Sequence, residues 1–490
     1  MVSGQQVCRD LGGLGPTGAS RLHQSGHSRD GDPSPGHGRH GGCRHGGRCE
    51  GDQAVGSQDA GTWHEPRIHR SARRQPQQRR AREHWQGVCL PGYAPQAVTP
   101  GGFYRAVGTT VTTTDVLVVG AGPAGCAAAY DLATSGRDIL LVDRRSFPRV
   151  KPCAGALTPK TLQALRFPVA PVIRQVTTTF ISRRDDEPPT VYEGRHPLAA
   201  MTVRAELDQY VLERTLASGA RFTKIGAIRG IHVESEHLMV QTATERLRCR
   251  YLVGADGANS TVRRLTGEFP DIGWGFGIEG HVAGNAATQD FEIDFGVVPF
   301  GYGWVFPKGD HFNVGVFTSD ATVALHPDRL RAYARARLGA RDCTQIVGQQ
   351  VGLGGWRYRP RSRRIFLVGD AAGLTEPLLG EGIYYAVKSG QAAAEAIEAE
   401  LEGTAPARDL FRARMRVLGR DVSSAARLAR RFHGDLALGY RILATPLVTY
   451  CAVKGCAAGM TIRDVIRGFY TLPFRRVQPL PGLPASKPGA

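Results

Sequence analysis

The chain lacks several features that would define its chemistry or its location early. Near the C-terminus its longest uncharged apolar run is residues 442–453, and a helix that spans a bilayer needs about 20 residues. No H-E-x-x-H motif, no spaced cysteine pairs and no recognisable Ser/His/Asp arrangement occur, so the sequence indicates neither a catalytic metal nor a protein nucleophile. The ten cysteines follow no regular spacing, which is typical of a reduced, cytoplasmic protein rather than of a disulfide framework.

Lysine is absent before Lys151, and residues 1–108 hold eight of the fifteen histidines. This segment is rich in Gly, Arg, His, Ser and Gln and has no hydrophobic periodicity, so it is predicted to be disordered. Our hypothesis is that it is an upstream extension foreign to the native protein, because the folded pattern begins cleanly near residue 111. A short histidine–cysteine cluster in it is interpreted as coincidence rather than as a zinc site: His40, Cys43, His45 and Cys49.

The first informative motif is a glycine-rich turn between a predicted strand, residues 116–119, and a predicted helix. Its G-x-G-x-x-G spacing permits a tight turn, a close approach to a pyrophosphate and packing of the helix on the strand. A second strand then ends in an acid, at the place where ribose hydroxyls are bound. The predicted dinucleotide contacts are Gly120, Gly122, Pro123, Ala124, Gly125, Asp143 and Arg144.

Two later segments decide which dinucleotide is expected. Residues 254–260 contain an Asp-Gly pair, and residues 365–373 form a strand followed by Gly-Asp. An acid at a strand end can bond the ribityl hydroxyls of a flavin, and the backbone of residues 380–383 can lie against the pyrimidine edge of its ring. An NAD-only domain has no use for this third segment. We therefore predict FAD, with the further contacts Asp256, Gly369, Asp370, Gly380, Gly382 and Ile383.

The three segments resemble those of FAD-dependent oxidoreductases related to aromatic hydroxylases. That family also carries an arginine that opens a helix, in the pattern R-x-x-L/F-D-x-x-L, and residues 204–212 match it. The resemblance implies that Arg204 contacts the pyrophosphate or ribityl region of FAD. The alternative is that Arg204 is an ordinary exposed arginine on a helix.

A narrower resemblance covers about residues 111–400. Residues 299–307 match the P-x-x-Y-x-W-x-F-P signature of the geranylgeranyl reductase family, and residues 147–155 resemble its F-P-R-x-K-x-C-x-G. Ala154 replaces the first of the two glycines that usually follow the cysteine. Flavin halogenases carry W-x-W-x-I-P instead, and Tyr302 and Phe306 depart from that pattern.

The resemblance implies a reductase that saturates C=C bonds in prenyl chains, with NAD(P)H or reduced ferredoxin as the electron donor. No second G-x-G-x-x-G provides a separate NAD(P)H domain. Cys153, Tyr302 and Trp304 are the predicted catalytic residues, and Cys153 is expected near the isoalloxazine; a buried, inert cysteine is the alternative. Alternate strand residues project to one face, which predicts that the substrate is lined by Phe300, Tyr302, Trp304 and Phe306. The strand pattern alone is equally typical of an aromatic ladder in a sheet core.

Two other functions use the same FAD site. A monooxygenase or halogenase would use oxygen at the flavin, and an electron-transfer flavoprotein would pass electrons to a quinone. Within the reductase interpretation, a free diphosphate, an ether lipid, a quinone tail and a chlorophyll side chain all stay open as substrates.

We predict an α/β fold: a Rossmann-type FAD-binding domain, an antiparallel-sheet substrate domain and a C-terminal helical cap. The expected bounds are residues 111–165, 203–267 and 362–402 for the first, 168–202 and 268–360 for the second, and 403–490 for the third.

Charge is the second compositional clue. Of the net charge of +18, residues 1–110 carry +6, and much of the remainder is C-terminal. Residues 411–420 and 426–432 have the pattern of a basic amphipathic helix. Such a helix either lies on the inner face of an anionic membrane, as a peripheral contact that admits a prenyl lipid, or packs on the flavin domain with a solvated basic face. No nucleic-acid partner is expected, because no recognition fold accompanies the charge.

Overall fold

The computed structural model describes residues 111–184, 187–286, 290–339, 342–478 and 480. The predictions for residues 1–108 and for the end of the predicted cap, residues 479 and 481–490, lie outside these residues. The strands are, in chain order, β1 (Val111–Val119), β2 (Ile139–Asp143), β3 (Ala156–Leu157), β4 (Gln175–Thr177), β5 (Thr179–Arg184), β6 (Thr190–Glu193), β7 (Ala199–Met201), β8 (Arg221–Lys224), β9 (Ile228–Val233), β10 (Leu238–Thr242), β11 (Arg246–Gly254), β12 (Gly273–Ala283), β13 (Phe291–Phe295), β14 (Gly301–Pro307), β15 (His311–Thr318), β16 (Cys343–Leu353) and β17 (Ile365–Leu367). The α-helices are α1 (Pro123–Thr134), α2 (Pro159–Ala164), α3 (Arg204–Ala217), α4 (Thr261–Thr266), α5 (Pro327–Leu338), α6 (Ile383–Leu401), α7 (Ala407–Gly434), α8 (Leu436–Leu443), α9 (Pro446–Ala457) and α10 (Ile462–Gly468).

The first sheet has the strand order β8-β2-β1-β11-β10-β9, with β17 also paired to β11. Strands β8, β2, β1, β11 and β17 run parallel, whereas β10 and β9 are antiparallel. Val119 at the end of β1 is level with Gly254 at the end of β11, and Gly254 is level with Leu367 at the end of β17. The three glycine-containing segments therefore follow three neighbouring parallel strands and meet at one edge, where α/β sheets bind ligands.

Helices α1 and α6 pack against each other beside this sheet through small residues. A Cβ atom on Gly390 of α6 would lie 2.2 Å from the carbonyl oxygen of Ala124. This close approach explains the alanine-rich composition of both helices, and the predicted α/β class is confirmed.

The second sheet has the order β16-β12-β15-β14-β13-β5-β6 and is antiparallel except for the pair β5–β13. Its two faces are covered differently. Val305 and Val314 face α5, whereas Tyr302, Trp304 and Phe306 share a cluster with residues of α7 and α8. Strands β4 and β7, expected in this sheet, instead form a small third sheet with β3.

The C-terminal segment is helical. The basic helix predicted from residues 411–432 is part of α7, whose apolar side is buried; the Phe411 ring lies 4.8 Å from that of Phe366 in β17. Its apolar face is therefore occupied by the protein. In the described part of the chain no single helix is long and apolar enough to cross a bilayer; α8 and α9 meet those criteria only together, and they are bent by 76°.

Candidate active site

The turn after β1 has the geometry that its glycines predict. Gly120 has a φ of +107°, and a Cβ atom there would lie 2.4 Å from the carbonyl oxygen of Ala255. A Cβ atom on Gly125 would lie 1.8 Å from the carbonyl oxygen of Gly120. Glycine is therefore required at both positions, the first for the turn and the second for packing of α1 on β1. Pro123 is the first residue of α1, where its missing N–H costs nothing.

Asp143 at the end of β2 lies beside this turn. Its Oδ2 accepts a hydrogen bond from the N–H of Ala121 at 3.0 Å, and its Oδ1 accepts one from the N–H of Arg145 at 2.9 Å. The carboxylate thus holds the two loops together, and its contact with ribose hydroxyls stays a prediction. Arg144 is exposed at the same edge.

The second and third segments are bound to each other by an arginine. Asp256 Oδ2 accepts hydrogen bonds from the N–H groups of Thr261 and Val262 at 2.6 and 3.1 Å, which caps α4. From α4, the buried Arg263 donates to the carbonyl oxygens of Ala258 at 2.8 Å and of Ala371 at 3.1 Å. Ala371 follows Asp370 directly, so one side chain fixes the Asp-Gly segment against the Gly-Asp segment.

All predicted contacts except two line one cavity of about 3810 Å³. Gly125 is buried beneath it, as a packing glycine should be, and Phe300 is absent from its lining. The members that line it are Gly120, Gly122, Pro123, Ala124, Asp143, Arg144, Cys153, Arg204, Asp256, Tyr302, Trp304, Phe306, Gly369, Asp370, Gly380, Gly382 and Ile383. We call Gly120, Gly122, Asp256, Gly369 and Asp370 the nucleotide wall of this cavity, and Tyr302, Trp304 and Phe306 the aromatic wall.

The nucleotide wall fits a dinucleotide. The buried atoms Arg149 Nε and Asp256 Oδ1 have no hydrogen-bond partner in the described structure, and both residues line the cavity. A Cβ atom on Gly122 would lie 3.5 Å from Arg149 Nη2, so the start of α1 is open toward that guanidinium. Phosphate oxygens and ribose hydroxyls are groups that would satisfy both atoms. Burial raises the pKa of Asp256, because a carboxylate that is removed from water is harder to ionise.

Arg204 opens α3, as predicted, but its guanidinium already has a partner. It forms a buried two-point ion pair with Asp208, with Nε–Oδ1 and Nη2–Oδ2 distances of 2.9 and 3.0 Å. Arg149 Nη2 lies 3.3 Å from the same carboxylate. Arg149 was not predicted as a site residue, although it stands inside the Phe-Pro-Arg motif. The contact of Arg204 with FAD stays a prediction.

The aromatic wall lies on β14. The ring centroids of Tyr302 and Trp304 are 6.1 Å apart and those of Trp304 and Phe306 are 6.3 Å apart. The prediction that Phe300 shares this strand was wrong. β14 begins at Gly301, and Phe300 stands in the preceding turn with a φ of +48°, exposed and 6.1 Å from the ring of His433. The proline-led turn ends the alternation before it reaches this residue.

Each polar atom of the aromatic wall is bonded to the protein. Trp304 Nε1 donates to Asn313 Oδ1 at 2.7 Å, and the Tyr302 hydroxyl donates to the carbonyl oxygen of Leu379. Burial raises the pKa of Tyr302 well above 10, so its hydroxyl stays protonated. Because Leu379 immediately precedes Gly380, this bond ties the aromatic wall to the turn predicted to face the flavin ring.

That turn is fixed by an acid that sequence reasoning missed. Buried Glu376 accepts hydrogen bonds from the N–H groups of Leu379 at 2.7 Å, Leu378 at 3.0 Å and Glu381 at 3.3 Å. Burial, and next the charge of Glu381, raise the pKa of Glu376 to about 6. Glu381 in turn is paired with buried Lys160, with an Nζ–Oε2 distance of 2.6 Å. The sequence signal for Glu376 was a Glu-Pro pair, residues 376–377, before the Gly-Glu-Gly of residues 380–382. That pattern by itself indicates only a loop.

The cysteine loop lies against a second missed residue. Gly155 donates its N–H to Cys153 Sγ at 3.4 Å and has a φ of +63°. Ala154 has no positive φ, so the alanine that replaces a glycine here is accommodated without strain. Lys308, fully buried, donates from Nζ to the carbonyl oxygens of Ala154 at 2.6 Å and Gly155 at 3.1 Å. Burial lowers the pKa of Lys308 to about 7, and Cys153 and Glu279 oppose that shift.

Comparison with known proteins identifies the first part of this site. A family model for an FAD binding domain matches residues 113–274. An uncharacterised protein from Methanosarcina barkeri is 33% identical over 351 residues, which is 71% of this chain and 91% of the relative. A geranylgeranyl diphosphate reductase from Rhodobacter capsulatus is 31% identical over 60% of this chain and 77% of its own length. A menaquinone reductase from Mycobacterium tuberculosis is 32% identical over 64% and 83%.

Solved structures share the fold. A geranylgeranyl bacteriochlorophyll reductase-like protein from Thermoplasma acidophilum has a TM-score of 0.62 at 20% identity, over 74% of this chain and all of that one. The halogenase PltM, in complex with phloroglucinol and FAD, has a TM-score of 0.58 at 15% identity, over 74% and 83%. The halogenase fold is thus shared, whereas two of the three relatives reported as similar in sequence carry reductase names. Since these relatives are matched over most of their length, the chain belongs to the geranylgeranyl reductase family of FAD-dependent oxidoreductases.

Proposed function

We propose that this protein is an FAD-dependent reductase that saturates C=C bonds in geranylgeranyl or other polyprenyl chains. The observation that carries the proposal is one cavity with the nucleotide wall and the aromatic wall as two of its sides. Its volume of about 3810 Å³ is several times the roughly 300–1000 Å³ of an ordinary small-molecule site. It has room for a dinucleotide and a long hydrocarbon chain together.

An isolated alkene has no polar handle, so its binding energy must come from burial of hydrocarbon, about 0.8 kcal/mol per CH₂ group. The aromatic wall offers such a surface. It continues into apolar residues of the C-terminal helices and the segments beside them, which line the same cavity: Phe432, Leu443, Val453, Met460, Ile466 and Phe469.

FAD held by the nucleotide wall would, once reduced, supply a hydride. The residues of the chain have the other tasks: they hold the prenyl chain over the ring, exclude water and hold a proton for the second carbon. We assign the proton to Cys153 Sγ, which lines the cavity and lies near enough to Tyr302 and Lys308 to affect the pKa of both. Tyr302 and Trp304, held by Leu379 and Asn313, act as rigid positioning surfaces.

The sources of electrons and of substrate belong to the same proposal. NAD(P)H or a reduced ferredoxin would provide the electrons. The name of the menaquinone reductase relative extends the candidate substrates from geranylgeranyl diphosphate to a quinone tail.

We also propose peripheral contact with the inner face of a membrane, through exposed apolar residues of α8, α9 and α10: Leu438, Ile442, Leu447 and Ile466. Three of them, Leu438, Ile442 and Ile466, also line the cavity, so a prenyl chain could pass from the lipid into it. An Ile442→Asp/Leu447→Asp variant should bind anionic vesicles less than the wild type does. The matched change of an exposed apolar residue on β9, Val233→Asp, should not alter vesicle binding.

The main test is anaerobic. The full chain with bound flavin is reduced with dithionite and mixed with geranylgeranyl diphosphate or menaquinone, and the masses of the prenyl species are measured. We expect a gain of hydrogen pairs that is lost in Cys153→Ala and weakened in Tyr302→Phe. The matched controls Cys343→Ala and Tyr333→Phe remove a thiol and a buried hydroxyl away from the cavity lining and should retain the reaction.

Two results would move the assignment elsewhere. No mass change without oxygen, followed by insertion of oxygen or halide in air, would make the protein a monooxygenase or halogenase. No product under either condition, with flavin bound and reducible, would leave an electron-transfer flavoprotein.

A further inference from the structure

Residues 357–363 present an arginine at every second position. Arg357, Arg359, Arg361 and Arg363 are exposed, whereas Tyr358 and Pro360 between them are buried and Ser362 is half-buried. Arg357 ends a 3-10 helix, and residues 358–362 continue without helix or turn, so that alternate side chains there face outward. At about 3.3 Å per residue the four charges spread over up to about 20 Å. We call these four residues the arginine strip.

Carboxylates in the described structure do not pair with the strip. Arg357 donates to the carbonyl oxygen of Asp271 at 2.8 Å, Arg359 to those of Trp356 and Tyr358, and Arg361 to that of Gly267 at 3.2 Å.

Two exposed arginines elsewhere in the fold are, in contrast, paired with carboxylates. Exposed Arg166 and Arg221 bind Asp131 and Asp138. Glu268, a buried acid beside the strip, accepts hydrogen bonds from the main-chain N–H groups of Arg361 and Ser362. The strip therefore presents four exposed charges, three of which are held in place by main-chain carbonyls, an arrangement that costs self-repulsion unless an anion binds.

The strip is joined to the flavin site. Three of its members, Arg357, Arg359 and Arg361, line the rim of the cavity. Tyr358, which anchors the strip from below, accepts a hydrogen bond at its hydroxyl from the N–H of Leu367 at 3.2 Å. Leu367 ends β17, two residues before Gly369, so the strip is fixed to the strand that carries the third FAD segment.

We propose that the arginine strip docks the acidic face of a small one-electron carrier protein that supplies the flavin. The inference rests on the proposed function, because saturation of one double bond consumes two electrons and two protons. Two reduced carriers each lose one electron, the two protons come from solvent, and together these equal the two hydrogens added. A row of exposed guanidinium groups matches the distributed carboxylates of a protein surface.

A nicotinamide nucleotide fits this surface less well. Its phosphates prefer a free helix N-terminus, and the neighbouring one, at Thr261 of α4, is already capped by Asp256 and Ser260. In the described residues the other G-x-G-x-x-G, residues 275–280, lies inside strand β12 and not in a turn between a strand and a helix, so it provides no second nucleotide turn.

The test measures binding directly. A small acidic [2Fe–2S] ferredoxin is immobilised as the probe, and the full-length flavoprotein is passed over it at several salt concentrations. We expect Arg361→Glu/Arg363→Glu to weaken binding about tenfold or more and to flatten its salt dependence. The matched control is Arg416→Glu/Arg420→Glu on α7, which reverses two exposed arginines outside the cavity lining and should stay within about twofold.

A second measurement follows the anaerobic bleaching of the flavin absorbance by the reduced ferredoxin. The strip variant should be slowed, while dithionite should reduce the flavin of all variants equally. Arg361→Gln/Arg363→Gln, which removes charge without reversing it, should fall between the wild type and the Glu variant. Melting temperature and flavin content verify that each variant is folded.

Three results would overturn the proposal: no binding of the ferredoxin to the wild type, equal loss in the strip and control variants, or strip-dependent capture of anionic vesicles or duplex DNA in place of the ferredoxin. Failure of the prenyl reaction itself is seen separately, because the dithionite-driven assay requires no carrier. Ferredoxin-dependent bleaching that needs the strip, without any prenyl product, would retain the docking surface and discard the proposed substrate.

Discussion

The nucleotide wall and the aromatic wall face the same cavity but are built from different materials. The first is mostly main chain: its shape depends on Gly120 and Gly125, where a single added carbon would overlap a carbonyl oxygen. The second is mostly side chain, at positions 302, 304 and 306 of a regular strand, where no positive φ demands a glycine. We therefore expect a substitution that disturbs the nucleotide wall to abolish flavin binding, whereas a substitution in the aromatic wall should reduce stability and leave the flavin bound. Four substitutions test this comparison.

The largest effect is expected at Gly125, the packing glycine beneath the nucleotide wall. Gly125→Ala places a Cβ atom 1.8 Å from the carbonyl oxygen of Gly120, so the turn must open. We expect a loss of about 4 kcal/mol or more in the free energy of unfolding, and loss of bound flavin. Denaturant unfolding and flavin absorbance measure both. Gly226→Ala, where nothing lies within 4 Å of the added carbon, should behave as the wild type. Normal flavin content in Gly125→Ala would refute the close-approach argument.

The aromatic wall should lose stability without losing flavin. Phe306→Ala removes a buried ring and should cost about 3 kcal/mol in the free energy of unfolding, while flavin stays bound. Phe300→Ala, in the exposed turn, should cost less than about 0.5 kcal/mol and leave prenyl reduction unchanged. Equal effects of the two substitutions would indicate that Phe300 does occupy the strand position first predicted for it.

The turn between the walls should lose somewhat less stability than either wall. Glu376→Ala leaves three main-chain N–H groups near Gly380 without their acceptor, at a cost of about 2 to 3 kcal/mol. Flavin affinity should fall as well, and Glu376→Gln should recover most of both, because the amide oxygen still accepts. Glu395→Ala, which removes an exposed ion pair with Arg414, should stay within about 1 kcal/mol. Unchanged flavin affinity in Glu376→Ala would separate this turn from the cofactor.

The smallest effect, counted per pH unit, is one of pH. Lys308 has a pKa of about 7 in the folded protein and an ordinary value of 10.5, so between them the unfolded chain binds a proton that the folded one does not. Stability from this group therefore rises with pH across that window, by at most about 1.4 kcal/mol per pH unit. Lys308→Met should flatten the rise, whereas Lys224→Met on the exposed edge strand β8 should not. Parallel stability curves for the Lys308→Met variant and the wild type would show that Lys308 keeps its proton.

The nucleotide wall could be predicted from sequence because its determinants are local. A strand, a turn of fixed glycine spacing and a terminal acid are read within some 30 residues, and adjacent parallel strands then bring Gly120, Asp256 and Asp370 to one edge. The family resemblance also placed Tyr302, Trp304 and Cys153 at the cavity. Phe300 failed because a single positive φ interrupts strand periodicity, and alternation in the sequence does not reveal it.

The missed residues owe their importance to distant partners. Lys308 follows the aromatic motif directly, yet its role appears only when the loop at Ala154, more than 150 residues away, is seen to supply its acceptors. Glu376 resembles any loop acid until its carboxylate is found buried beneath Leu379. Neither a periodicity nor a spacing rule encodes such contacts. The arginine strip lies between these cases: its alternation is visible in the sequence, but its exposure and its lack of acidic partners are not.

Trp304 and Gly315 stand opposite each other on neighbouring strands, and a Cβ atom on Gly315 would lie 1.9 Å from the indole ring. The indole ring of Trp304 occupies the space that a side chain at position 315 would need. Substituting Gly315 alone creates a clash, and shrinking Trp304 alone leaves a void, so the two positions can vary only as a pair. For an engineer who wishes to widen or narrow the cavity beside the aromatic wall, the adjustable unit is therefore this pair, and a library should vary β14 and β15 together.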